Sequence, residues 1–74
     1  MYLVIEEDNN GRLALSVFHL EEKAKTHFDS VDASWATPIV SIAQIKGDQR
    51  FHIGENGVIS GAKLIEKKEE NILV

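Results

Sequence analysis

Three histidines, His19, His27 and His52, are the side chains of this 74-residue chain best suited to hold a metal ion or move a proton. A helical metal pair needs two histidines four residues apart, so that both rings leave one face of the helix. His19 and His27 are eight apart and His52 lies in another segment, which leaves an assembly in space with Asp29 or Glu55. Ordinary surface histidines are the simpler expectation. Cysteine is absent, which excludes thiolate metal ligands, thiol nucleophiles and disulfides. No metal and no cofactor is expected.

Ser60-Gly61-Ala62-Lys63 matches the serine–lysine spacing S-x-x-K. That chemistry places the serine at the start of a buried helix with the lysine one turn later, together with companion motifs. Here the stretch is strand-like, contains glycine and has no companions, so it reads as a chance match. The adjacent carboxylates Glu6/Glu7 and Glu21/Glu22 could do acid–base work only if one sat in a desolvated pocket. At a strand end and a first helical turn, solvation is the expectation. Asp8 to Arg12 resembles the start of a calcium loop, but positions 5, 6 and 12 would be Arg12, Leu13 and His19 where the loop needs an oxygen ligand, glycine and glutamate. Gly54-Glu55-Asn56-Gly57 lacks the lysine and following helix of a phosphate cradle, and Glu55 would repel the anion. The chain is not expected to be an enzyme.

The elements that would position these residues follow from periodicity. Met1–Glu7 is β-rich and Arg12–Phe18 alternates, with Leu13, Leu15 and Val17 on one face and Arg12, Ala14 and Ser16 on the other. Asn10-Gly11 between them is a strong hairpin signal. Leu20, Ala24, Phe28 and Val31 then recur at helical spacing, predicting a helix over about 20–30. Its two first-turn glutamates suit the helix dipole, and Glu21 stands four residues before Lys25.

Val31–Thr37 reads as a connector. Strands are expected over about 38–46, in an interior position because Ile39, Val40, Ile42 and Ile45 leave little polar face, and over about 49–53 and 58–66. The turns between them would use Gly47-Asp48 and Gly54 to Gly57. In the 49–53 strand Phe51 and Ile53 should point inward, Arg50 and His52 outward. Gly61 inside the last strand signals a bulge or a close backbone approach. Lys67 to Glu70 reads as a charged spacer within a tail, 67–74, whose apolar end, Asn71 to Val74, would return to the sheet, cover another chain or fray. The expected fold is α+β: one domain over 1–74, order ββαβββ, with an antiparallel sheet of about five strands packed on one helix.

Composition sets further bounds. A chain this short buries only about 60–65% of its unfolded surface, so its core is thin. Net charge is −4 and uneven: residues 1–37 hold seven acids against three bases, while the rest balances at five of each. Nucleic-acid binders need a cationic footprint, so nucleic acid is not an expected partner. The longest uncharged apolar run falls well short of the roughly 20 residues of a membrane span. The N-terminal segment also lacks the basic region and cleavage site of a secretory signal. No membrane partner and a cytoplasmic location are expected.

The hairpin followed by a helix bearing Leu20-Glu21-Glu22 resembles the N-terminal part of small antitoxins with a partial double-stranded-RNA-binding fold. It extends only over Met1 to about Phe28. The Pro- and Gly-containing segment between strand and helix is missing and an extra residue precedes Ala24, so no family and no site is assigned on it.

Trp35, alone in the connector, either plugs the end of the core or offers an anchor to a partner. The plug is the expected role in a thin-cored domain. The leading functional expectation is a non-catalytic protein-binding module, such as a phage- or mobile-element-type regulator or inhibitor acting by occlusion. Its contact residues would be Trp35, Glu21, Glu22, Asp29 and Asp32, the acids steering toward a basic partner surface. One alternative is a self-associating structural protein, a homodimer joined through an open sheet face, an edge or the C-terminal tail. A further alternative is a cofactor-free enzyme with a site at a dimer interface, drawing on His52, Arg50 or Glu55.

Overall fold

The β-rich first segment and the alternating second one form a hairpin, β1 (Tyr2–Glu7) and β2 (Leu13–Phe18), in the computed structural model, which describes residues 1–46, 50–54 and 59–70. The turn is built by Asp8, whose Oδ1 accepts from the backbone N–H of Asn10 at 2.9 Å and of Arg12 at 2.8 Å. Gly11 takes the left-handed conformation, φ +82°, and closes a loop of three residues, Asn9 to Gly11, rather than a two-residue turn.

The chain continues as helix α1 (Glu21–Ser30) and strands β3 (Ile39–Gln44), β4 (His52–Ile53), β5 (Ile59–Ser60) and β6 (Lys63–Glu69). The main sheet is antiparallel with strand order β2-β1-β3-β6, and β4 and β5 pair separately. β3 is interior, as its apolar composition suggests. The expected ββαβββ order with five strands is not what forms. The stretch expected as one strand over 58–66 is two, because Gly61 adopts φ +83° and breaks it. A Cβ at Gly61 would overlap the Arg50 carbonyl oxygen and lie 3.1 Å from the Phe51 Cα, so the close-approach reading of this glycine holds. The predicted turns at Gly47-Asp48 and Gly54–Gly57, the site residue Glu55 and the tail Asn71–Val74 fall wholly or largely outside the described residues.

Most of the 67–70 segment is corrected from spacer to strand: Lys67, Lys68 and Glu69 pair with Ser41, Val40 and Ile39, and the Glu70 N–H just beyond the strand donates to the Pro38 carbonyl at 2.7 Å. Lys68 points at the helix. Its Nζ donates to the carbonyls of Phe28 at 2.7 Å and Val31 at 2.9 Å and stands 4.3 Å from the Phe28 ring centroid. Carbonyls at a helix C-terminus lack intrahelical partners and carry the negative end of the dipole, so this ammonium completes α1 from across the sheet. The N-terminus has no such help: Leu20 is the N-cap and makes no side-chain capping bond.

The helix seats Ala24 and Phe28 on Val4, Val40 and Ile42, all of them buried, with Tyr2, Phe18, Val31 and Ile65 around them. Even-numbered residues of β1 and β3 therefore face α1. On the opposite face Leu3, Ile5 and Ile45 are buried, with Phe51 and Ala62 packed against them. No helix of the described residues is long and apolar enough to cross a membrane.

Candidate functional site

Among the described residues the main sheet ends on two unlike strands. β6 is Lys-Leu-Ile-Glu-Lys-Lys-Glu, charged at five of seven positions, with a Lys67–Glu69 ion pair at 2.7 Å and a register shift opposite Ile42/Ala43. Charge and bulges are the devices by which sheets discourage edge pairing. β2 is Leu-Ala-Leu-Ser-Val-Phe, with no charge, no proline and an unbroken register against β1.

The direction of the β2 hydrogen-bonding groups follows from phase. Met1 and Ile45 exchange backbone bonds at 2.8 and 3.3 Å, so odd residues of β1 bond to β3 and even ones to β2, since bonded and non-bonded pairs alternate in an antiparallel ladder. The register Tyr2↔Phe18 through Glu7↔Leu13 then turns the N–H and C=O groups of Ala14, Ser16 and Phe18 inward. Those of Leu13, Leu15 and Val17 point away from the sheet. The Asp8 N–H bond to the Arg12 carbonyl, 2.9 Å, has the same phase.

The side chains of these three residues lie on the face away from α1. They are 42%, 50% and 56% exposed, whereas their β1 neighbours Leu3 and Ile5 are only 2% exposed. The cover provided by Phe51 and Ala62 thus protects the centre of this face and leaves β2 as an apolar shelf.

Trp35 stands at the same end of the sheet as Leu13. Ser34 and Thr37 exchange backbone bonds at 3.0 and 3.1 Å, holding Trp35 and Ala36 at the tip of a tight turn. The Asn9 N–H donates to the Ala36 carbonyl at 3.1 Å, fastening that turn to the β1–β2 loop. Thr37 and Leu13 line one shallow depression with Glu6, Asp8, Arg12 and Ala14. Trp35 is 73% exposed; it does not plug the core.

The four acids grouped with Trp35 by sequence do not form one patch. Glu21 and Glu22 occupy the first turn of α1, Asp29 its last turn and Asp32 the connector, all exposed. At 1.5 Å per residue, Glu21 and Asp29 stand about 12 Å apart along the axis. Asp29 instead rims an open groove of about 360 Å³ with Lys25 and Glu66, floored by Phe28, Ile42 and Ile65.

His27 packs on Phe18, ring centroids 5.4 Å apart, with Nε2 3.7 Å from Glu6 Oε2. Arg50 and His52 are exposed. Ser60 ends β5 and Lys63 begins β6, so the S-x-x-K stretch spans two strands. Among the described residues no three of His, Asp and Glu gather closely enough to hold a metal ion.

No protein-family model matches the chain, and no curated protein and no solved structure is significantly similar to it.

The β2 shelf and the Lys68 contact escaped the sequence reading. The signal for the first was present: six consecutive uncharged residues, with apolar Leu13, Leu15 and Val17 on one face and small Ala14 and Ser16 on the other. Neither side is marked for water. Lys68 gave no such signal, since its partner carbonyls are set by a pairing 40 residues away in sequence.

Proposed function

We propose that the chain is a non-catalytic protein-binding module whose contact surface is the open edge and apolar shelf of β2, with the Trp35 turn beside it. The observation that carries this reading is the contrast between the two sheet edges. Natural sheets guard an edge with charge, proline or bulges; β6 has two of these and β2 none. A strand added to β2 would satisfy the outward groups of Leu13, Leu15 and Val17 by main-chain bonds and cover their side chains, which is recognition by strand addition.

Trp35 adds rigid apolar area on a turn already fixed by hydrogen bonds, so little ordering entropy is lost on contact. Such a module acts by covering its partner's surface, as a small regulator or inhibitor does. The exposed acids Glu21, Glu22, Asp29 and Asp32 contribute to the rate of encounter with a basic partner more than to the strength of the complex.

The test is capture on the immobilised chain. Leu15→Lys should lose the captured protein and Trp35→Ala should weaken capture, with both variants still folded. Equal capture by wild type and both variants would refute the assignment of this surface.

A further inference from the structure

We infer that the β2 edge is occupied by β2 of a second copy of this chain, joined antiparallel about a two-fold axis with Leu15 opposite Leu15. The two four-stranded sheets then become one of eight strands. The inference rests on the protein-binding reading and gives that surface its partner.

The register follows from the phase of the strand. The outward groups belong to odd-numbered residues, and a two-fold normal to the sheet pairs residues whose numbers have an even sum, so odd meets odd. Centring on Leu15 bonds Leu15 to Leu15 and Leu13 to Val17 in both directions, three hydrogen-bonded pairs within the strand. Moving the centre to Ala14 or Ser16 leaves two. The centred register also sets all three exposed apolar side chains of one copy against those of the other, on the same face. Ala14 meets Ser16 on the other face, and no charge meets a like charge, because β2 has none.

The helices leave room. α1 sits over Val4, Val40 and Ile42 of β1 and β3 and meets β2 through Phe18, and the Phe18 residues of the two copies lie at opposite ends of the seam. The two β1 strands would be separated by three strand spacings, about 14 Å, so the helices pass without collision, given that packed helices approach to roughly 8–10 Å. At each end of the seam Arg12, exposed and on the helix side, falls opposite Phe18 of the second copy. Phe18 is three and four residues before that copy's Glu21 and Glu22, so a cation stands on the side of an acidic first turn. A six-residue edge with three apolar side chains per copy lies at the small end of stable interfaces, near or below about 1,200 Å².

Sedimentation of the full chain tests the assignment. At roughly 100 µM, above the micromolar dissociation constants of weaker interfaces, the mass should be that of two 8.3 kDa chains. Leu15→Lys, which sets two ammonium groups against each other across the axis, should give one. Disulfide trapping reads the register, since the chain has no cysteine of its own. Leu15→Cys should cross-link to itself under mild oxidation. Leu13→Cys and Val17→Cys should cross-link to each other when mixed and neither to itself, because like positions there lie about 14 Å apart, twice the reach of a disulfide.

A chain that stays monomeric overturns the two-copy assignment. If Leu15→Lys nevertheless abolishes capture of a different protein, the broader reading survives; if capture is unchanged, that reading falls as well. A dimer that persists in Leu15→Lys, or that cross-links through Val17→Cys alone, also overturns the assignment. Should Leu15→Lys lose its folded circular-dichroism spectrum, Val17→Lys replaces it with the same expected loss of the dimer.

Discussion

The Lys68 ammonium lies 2.7 Å from the Phe28 carbonyl oxygen and 4.3 Å from the centroid of the same residue's ring. One side chain from the last described strand thereby closes the C-terminal end of the only helix among the described residues and covers the largest fully buried side chain. Charge-assisted hydrogen bonds and a partly desolvated cation–π contact are each worth on the order of 1–3 kcal/mol. Lys68→Met should therefore lower unfolding stability by about 1–3 kcal/mol in denaturant titration. Lys67→Met, on the other face with only a surface ion pair to lose, should change it by less than about 1 kcal/mol. Equal losses would deny Lys68 its capping role.

Gly61 and Gly11 share a φ near +82° but not their surroundings. Nothing lies within 4 Å of a Cβ built on Gly11, whereas one on Gly61 runs into the Arg50 backbone. Gly11→Ala should cost about 1 kcal/mol, from backbone strain alone. Gly61→Ala should cost at least about 2 kcal/mol and loosen the contact of Phe51 and Ala62 with Leu3 and Ile5. Thermal melts of the two variants check the order; a costlier Gly11→Ala would contradict it.

Trp35 is the chain's one tryptophan, so fluorescence reports on it alone. At 73% exposure its emission should be red-shifted and readily quenched by iodide in the dilute chain. Trp35→Ala should leave stability within about 0.5 kcal/mol, as surface substitutions do. A blue-shifted, unquenched emission together with a large loss of stability would restore the core-plug role.

β-rich composition, alternation and a 3.6-residue period marked out β1, β2, α1 and β3; Val4, Ala24, Phe28, Val40 and Ile42 of β1, α1 and β3 meet in one buried cluster, whereas the apolar face of β2 stays exposed. Alternation in β2 separated Leu13, Leu15 and Val17 from Ala14 and Ser16, but period two states only that two faces differ. Which of them meets water is decided by where α1 crosses and how far Phe51 and Ala62 reach. The run Lys67 to Glu69 reads as solvated spacer by composition and is a strand by pairing, since β3 needs a partner on its second edge and Lys68 has carbonyls to reach. A thin core makes a plug the expected role of Trp35; the Ser34–Thr37 turn and the Asn9–Ala36 bond hold it outward instead. Contact surfaces were the least legible part, because exposure is a property of the packed chain and not of residue type.

Amide hydrogen exchange along β2 tests the open, pairing edge most directly. Ala14, Ser16 and Phe18 donate to β1 and should be protected at every concentration. The amides of Leu13, Leu15 and Val17 should exchange rapidly in dilute solution and become protected together as concentration rises. Fast exchange of those three at all concentrations, or protection of the even-numbered set only on association, would contradict the account.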